Sequence, residues 1–151
     1  MLELRRFEDA DAAAVRELHD LTLAAAATHA RPPPPDPSSI RSTYLDGSGE
    51  FLVGVTDGRL VAMGALRHVT DTVAEPGRMC VHPSFQRRGF GRLLLRGLED
   101  RAAELGFRRL RLDTTVMQTA AQGLYRSAGY REVGRGQLAG VEVVYFAKAL
   151  P

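Results

Sequence analysis

The sequence of 151 residues has no tryptophan, one cysteine and one lysine. A single cysteine, Cys80, excludes an internal disulfide, and its apolar strand context marks it as a packed thiol. The four histidines, at positions 19, 29, 68 and 82, lack the spacing of metal ligands, so no metal site is expected. No apolar run approaches the ~20 residues needed to span a bilayer. Met1-Leu2-Glu3-Leu4-Arg5-Arg6 does not read as a signal peptide, so the expectation is a cytoplasmic chain. Internal repeats and dividing linkers are also missing, which points to a single domain over residues 1–151.

The shortage of lysine has a counterpart. Of the 20 basic residues all but Lys148 are arginine, and alanine is abundant, a bias suggestive of a high-GC bacterial genome. Net charge is +2, and the arginines are scattered rather than striped, so nucleic acid is not an expected partner. Hydrophobic residues make up 44% and charged residues 25%, enough apolar matter for a real core.

Periodicity divides the chain into elements. Leu2 to Phe7 alternates as a strand. Asp9 suits the N-cap of a helix from about Ala10 into the low twenties, with Asp11 in its first turn and Val15, Leu18 and Thr22 on one face. Arg31-Pro32-Pro33-Pro34-Pro35-Asp36-Pro37 reads as a stiff, extended connector. Ser38 or Ser39 suits the cap of a short helix through Leu45, ended by Asp46-Gly47-Ser48-Gly49. Phe51–Thr56 and Arg59–Val69 flank Asp57-Gly58, a strong hairpin signal. Val73 to Val81 follows as a strand disturbed at Pro76-Gly77, the place for a bulge. Phe90, Leu93, Leu94, Gly97, Leu98, Ala102 and Leu105 recur at helical spacing before the stop at Gly106. Arg108–Thr115 alternates as a strand. Gln118–Ala128 is a short helix ended by Gly129, and Tyr130–Arg135 with Val141–Leu150 closes the chain as a hairpin across Gly136 to Gly140. The order β-α-α-β-β-β-α-β-α-β-β implies an α/β fold, a mixed sheet with helices on both faces. The closing hairpin carries Val141, Val143, Val144, Tyr145 and Phe146, more apolar surface than one strand face uses, which suggests a homodimer.

One stretch carries a chemical signal. Met79-Cys80-Val81-His82-Pro83 ends a strand, and Gln86-Arg87-Arg88-Gly89-Phe90-Gly91-Arg92 turns into a helix. Gly89 and Gly91 let a ligand approach the backbone, and the first N–H groups of the helix lack intrahelical partners. With the helix dipole and Arg87, Arg88 and Arg92, they make a site for phosphate oxygens.

This stretch resembles the central motif of the GNAT superfamily of N-acetyltransferases. Gln118-Thr119-Ala120-Ala121-Gln122-Gly123-Leu124-Tyr125-Arg126-Ser127-Ala128-Gly129-Tyr130 is similar to the family's second block, although Gln118 stands where Asn is usual. The resemblance implies a GNAT-like fold whose central sheet splays, with acetyl-CoA as acetyl donor lying in the wedge. It implies that the turn at Gln86–Arg92 holds the pyrophosphate, that the backbone of Met79, Cys80 and Val81 binds the pantetheine arm like an added strand, and that Gln118 contacts the cofactor. Leu112 to Ala121 also looks like the branch containing cysteine S-conjugate N-acetyltransferases, whose members are membrane-anchored; this chain shows no such segment.

Acetyl transfer needs a neutral amine, a donor for the oxyanion and a proton for the departing thiolate. The family places a Tyr at the position of Tyr125 for the last role, beside the cofactor; by pattern alone Tyr125 is equally a core aromatic. Glu75, ahead of Pro76 on the strand leading to the cofactor, is the candidate base, with Asp71, His68, Asp113 or plain water as rivals. His82 reads as a strand end, and the proline run as one lip of the acceptor cleft. The implied activity is transfer of acetyl from acetyl-CoA to a primary amine of a small molecule, by direct attack in a ternary complex. The alternative is a catalytically silent acyl-CoA-binding sensor.

Overall fold

The structure is a computed structural model that describes residues 1–25 and 37–151. The connector at Arg31–Asp36, and the cleft lip expected of it, lie outside the described residues. Strand β1 spans Glu3–Arg6, helix α1 Ala12–Ala25 and the short helix α2 Pro37–Ile40, which runs on as a π-helical turn through Leu45. Strands β2 (Glu50–Thr56), β3 (Arg59–His68) and β4 (Val73–Val81) follow. Helix α3 is Phe90–Glu104, β5 Arg109–Thr115, α4 Thr119–Ser127, β6 Arg131–Leu138 and β7 Val141–Ala149. The expected element order is the observed one.

Local chemistry differs from expectation at both early helix starts. A 3-10 turn at Asp9–Asp11 precedes α1, and its N-cap is Glu8 rather than Asp9. Buried Asp11 does the work: its Oδ2 accepts from the Glu8 backbone N–H at 2.8 Å while both oxygens take the Arg5 guanidinium at 2.8 Å. Asp9 pairs instead with Arg41. Helix α2 begins at Pro37, so Ser38 and Ser39 lie inside it and do not cap it; proline's fixed φ favours this first position.

Seven strands form one sheet in the order β1-β2-β3-β4-β5-β7-β6. All neighbours are antiparallel except β4 and β5. The Asp57-Gly58 turn has both residues at positive φ (51° and 75°), as a two-residue hairpin of this hand requires. The closing hairpin turns at Ala139-Gly140 alone (φ 51° and 79°), not over Gly136–Gly140, and β6 extends to Leu138. Gly136 is a strand residue paired with Val143, and its lack of a side chain makes room for the Tyr145 ring, which a Cβ there would approach to 3.1 Å.

Apolar residues cover both faces. Leu66, Leu98, Leu110, Leu112, Val144 and Phe146 pack with α3 and α4, while Val15, Leu18, Ile40, Phe51, Val53 and Met63 pack on the α1 side. Val143, Val144 and Phe146 are buried by the fold itself, so the apolar surplus read from the closing hairpin is largely absorbed within the chain. The side chains left exposed there are Val133 (64%) and Leu138 (46%), both on edge strand β6.

The sheet splays at its centre. Strands β4 and β5 pair only at Val73 with Arg109 and Ala74 with Leu110, and then part. Strand β5 stays with β7 over its whole length. Strand β4 stays with β3 but bulges: Met63 faces Cys80 and Ala65 faces Gly77, so two steps on β3 span three on β4. The extra residue falls at Arg78-Met79, just past Pro76-Gly77, with Arg78 at φ 49°. A non-glycine residue in the left-handed region is strained, and this one lies on the part of β4 that has already left β5.

Candidate active site

The mouth of the wedge is built by the turn ahead of α3. His82 ends the strand and caps the 3-10 turn Pro83–Phe85, its Nδ1 accepting from the Ser84 N–H at 3.0 Å. Gln86 Nε2 donates to the Val81 carbonyl at 3.2 Å, folding the turn back on β4. Arg87 (φ 65°) and Gly89 (φ 81°) both take left-handed backbone, and Gly89 is the N-cap of α3. A Cβ at Gly89 would meet no atom within 4 Å, so that face of the turn is open, but the backbone there still favours glycine. The α3 N–H groups of Phe90, Gly91 and Arg92 precede the first intrahelical bond, Leu93 N–H to Gly89 C=O at 3.1 Å.

A cavity of about 450 Å³ opens from this turn into the wedge. Of the residues expected at the cofactor, it is lined by Met79, Val81, Gln86, Arg87, Gly89, Phe90, Gly91 and Tyr125. Ala120, Ala121 and Leu124 of α4, with Leu94 and Phe85, complete its walls. Four expected residues do not line it. By strand alternation Cys80 points to the opposite face, where it accepts from Thr22 Oγ1 at 3.4 Å and burial pushes its thiol up. Arg88 lies over the Phe85 ring, 4.9 Å from its centroid. Arg92 donates to Ser127 Oγ at 2.6 Å and ties α3 to α4. Gln118 accepts from Thr114 Oγ1 at 2.6 Å, so its amide braces the start of α4.

Sequence reasoning missed two contributors. Gln122 donates to the Thr115 and Val116 carbonyls at 3.2 and 3.1 Å, fixing α4 against the end of β5. Phe85 stacks on Phe90 with centroids 6.4 Å apart and forms a wall of the cavity. Both stood inside the two motif blocks, but nothing in spacing separated them from their neighbours.

Tyr125 is half-buried between Tyr130 and Phe146, with centroid distances of 6.0 and 5.8 Å. Burial, then the nearby charge of Asp113, push its phenol up to about 12. It is therefore a proton-bearing hydroxyl at any ordinary pH.

A second cavity, about 680 Å³, lies on the sheet face away from α3 and α4, at the same splay. Arg67, Glu75, Arg111, Asp113 and Tyr145 supply its polar lining. Glu75 Oε1 accepts from Arg67 at 2.8 Å and Oε2 lies 3.6 Å from Arg111. Asp113 makes no hydrogen bond or ion pair among the described residues; desolvation, then the Glu75 charge, raise its pKa against the pull of Arg111 and Arg67. The rivals Asp71 and His68 stand in the β3–β4 loop region, 3.7 Å apart, with Asp71 fully exposed and His68 against Phe107. Among the described residues no cluster of His, Cys, Asp and Glu has the makings of a metal site.

A splayed mixed sheet with a glycine-led helix at its mouth is one part of the identification. The other is the sequence over residues 13–130, which matches the model of the Acetyltransferase (GNAT) family. The chain belongs to the GNAT acetyltransferase family. It is 35% identical over 112 residues to probable N-acetyltransferase 14 of Xenopus tropicalis, covering 73% of this chain and 54% of the relative. It is 34% identical over 93 residues to the [ribosomal protein bS18]-alanine N-acetyltransferase of Salmonella typhimurium, covering 60% of this chain and 62% of that one. This GNAT chain thus spans little more than half the length of these relatives. Among solved structures, a provisionally assigned acetyltransferase from Salmonella typhimurium, determined with its cofactor acetyl-CoA, superposes with a TM-score of 0.82. That match is 21% identical in sequence and covers 100% of this chain and 95% of the other.

Proposed function

We propose that this GNAT protein is an acetyl-CoA-dependent N-acetyltransferase that moves acetyl to a small primary amine by direct attack in a ternary complex. The observation that carries the reading is the cavity that opens from a phosphate-suited helix start into the β4–β5 splay, with a second cavity lined by charged groups of β3, β4 and β5 beside the same splay. The fold relative solved with acetyl-CoA supports the choice of donor.

In this reading the unpartnered N–H groups at the start of α3 and the Arg87 guanidinium take the pyrophosphate, where the helix dipole favours negative charge. The β4 edge freed by the splay, at Met79 and Val81, offers backbone groups to the pantetheine amides. Cys80 contributes through its backbone only, since its side chain faces away. Arg88, Arg92 and Gln118 act by holding the turn and α4 in place. Tyr125 hydrogen-bonds the thiolate as the C–S bond breaks. The acceptor enters the second cavity, whose size suits a small molecule; the relative named for the alanine of ribosomal protein bS18 supports an amine as acceptor, although that one belongs to a protein. The proposal includes a homodimer, resting on exposed Val133 and Leu138 of edge strand β6.

Thiol release from acetyl-CoA across a panel of primary amines tests the reading. Release that depends on a particular amine supports it. Acetyl-CoA binding with no turnover on any amine replaces it with a silent acyl-CoA sensor.

A further inference from the structure

The second cavity holds four charged side chains that are unevenly paired. Glu75 Oε1 accepts from Arg67 at 2.8 Å, a charge-assisted bond, while Oε2 only approaches Arg111, closest at Nε and 3.6 Å away. The Arg111 guanidinium makes no hydrogen bond among the described residues, and the Asp113 carboxylate makes neither a hydrogen bond nor an ion pair there. Arg111 and Asp113 are two residues apart on β5, so both stand on one face with Cα atoms about 6–7 Å apart. Opposite charges thus share a strand face and a cavity without bonding to each other.

Register orders them along the wedge. Arg111 directly follows Leu110, the last β5 residue paired with β4, and stands at the closed end. Asp113 lies two residues further on, where the strands have parted. Its charge acts on the phenol of Tyr125, which lines the cofactor cavity, so Asp113 is the member of the pair that reaches toward the thioester. Val133 and Leu138, exposed apolar side chains of β6, line the same cavity.

We infer that the acceptor is a free amino acid with an apolar side chain, its amine at Asp113 and its carboxylate on Arg111. The inference rests on the acetyltransferase reading above. One such molecule supplies both missing partners: its N–H groups donate to Asp113, and its carboxylate accepts from the Arg111 guanidinium, which suits a planar two-oxygen anion. Burial without a partner raises the Asp113 pKa, and an amine hydrogen-bonded there offsets that desolvation. A plain alkylamine leaves Arg111 without an anion. So does the N-terminal residue of a protein, which carries a neutral amide where the free amino acid carries a carboxylate. In the transfer, the uncharged amine nitrogen bonds to the acetyl carbon and the C–S bond breaks with its electron pair on sulfur. The nitrogen loses one proton to solvent and the sulfur takes one up, giving an N-acetyl amino acid and a free thiol.

A matched acceptor panel tests it. L-Leucine, L-valine, L-methionine and L-phenylalanine are each compared with their amides and with the amines lacking the carboxyl group, such as isopentylamine for leucine. Rates are expressed per concentration of uncharged amine, so that basicity does not decide the order. At least one free amino acid should exceed both counterparts in kcat/KM by about 10-fold or more, chiefly through a lower KM. Arg111→Gln should abolish that preference and Arg111→Lys should keep part of it. An Arg111 that only supports the fold would lower all three acceptors together and leave their ratio unchanged; turnover of the carboxyl-free amine reports that the variant is folded. Amides or plain amines that match or exceed the free amino acids, a preference that survives Arg111→Gln, or no turnover of any free amino acid by a protein that binds acetyl-CoA would each overturn the inference. Failure of the unmodified protein to bind acetyl-CoA in a calorimeter is a different result and strikes the acetyltransferase reading itself.

Discussion

Tyr125 shows what a single residue can and cannot disclose. Its place in the Leu124-Tyr125 block resembled a thiolate-facing phenol, and its i, i+3, i+4 neighbours made it equally a core aromatic. Its ring packs between Tyr130 and Phe146 while also lining the wedge cavity. Tyr125→Phe keeps the ring and should keep the fold and acetyl-CoA KM, with kcat lower by about 10²-fold. With the phenol raised to about 12, its loss should not alter the alkaline side of the rate profile below pH ~10. Wild-type kcat in a folded Tyr125→Phe protein would return the residue to the core. The arginines of the motif were less legible. Charge alone made Arg87, Arg88 and Arg92 equivalent, and only three-dimensional neighbours direct Arg88 to a ring and Arg92 to a serine. Asp11 was visible as an early-helix acid but not as a partner of Arg5. Asp11→Asn should cost roughly 1–2 kcal/mol in urea denaturation, less than a fully buried pair because Arg5 reaches solvent. Its carboxyl is held below the ordinary value, chiefly by the Arg5 hydrogen bonds. The stability it gives is therefore complete above about pH 4–5 and lost as pH falls through the lower folded value, and that part of the acid dependence should flatten in the variant.

At the scale of elements, helices and strands followed from periodicity because buried faces repeat at fixed intervals, as Leu110, Leu112 and Thr114 do in β5. Turn length was legible where Asp57-Gly58 named its own conformation. It was misread at Gly136–Gly140, where one glycine makes room for Tyr145 rather than for a turn. Ala139 then occupies a left-handed turn position without being glycine. Ala139→Gly should raise stability by about 0.5–1 kcal/mol, measured as a higher urea midpoint at unchanged slope. A lower midpoint would mean that the Ala139 side chain makes contacts that outweigh its backbone strain. The bulge was foreseeable near Pro76, but its position at Arg78-Met79 depends on pairing with β3, which no local signal encodes.

At the scale of the whole molecule, the motif blocks pointed to a splayed sheet, and the single stretch of β4–β5 pairing supplies it. The second cavity was not legible, because Arg67, Glu75, Arg111, Asp113 and Tyr145 come from four strands. The dimer reading also changed ground, from core residues of β7 to Val133 and Leu138 on β6. Sedimentation at micromolar concentration should give twice the monomer mass and lose it in Val133→Glu; monomer alone would remove the dimer. The central claim is that the start of α3 receives the phosphates of acetyl-CoA. Gly89 gives the most direct measurement, by calorimetric titration of acetyl-CoA into Gly89→Glu and Gly89→Ala. Both variants carry the same left-handed backbone cost, about 1–2 kcal/mol, but only glutamate puts a carboxylate into the open space of the turn. The account predicts a folded Gly89→Glu with no measurable affinity beside a Gly89→Ala that still binds. A folded Gly89→Glu that binds acetyl-CoA as tightly as Gly89→Ala would contradict it.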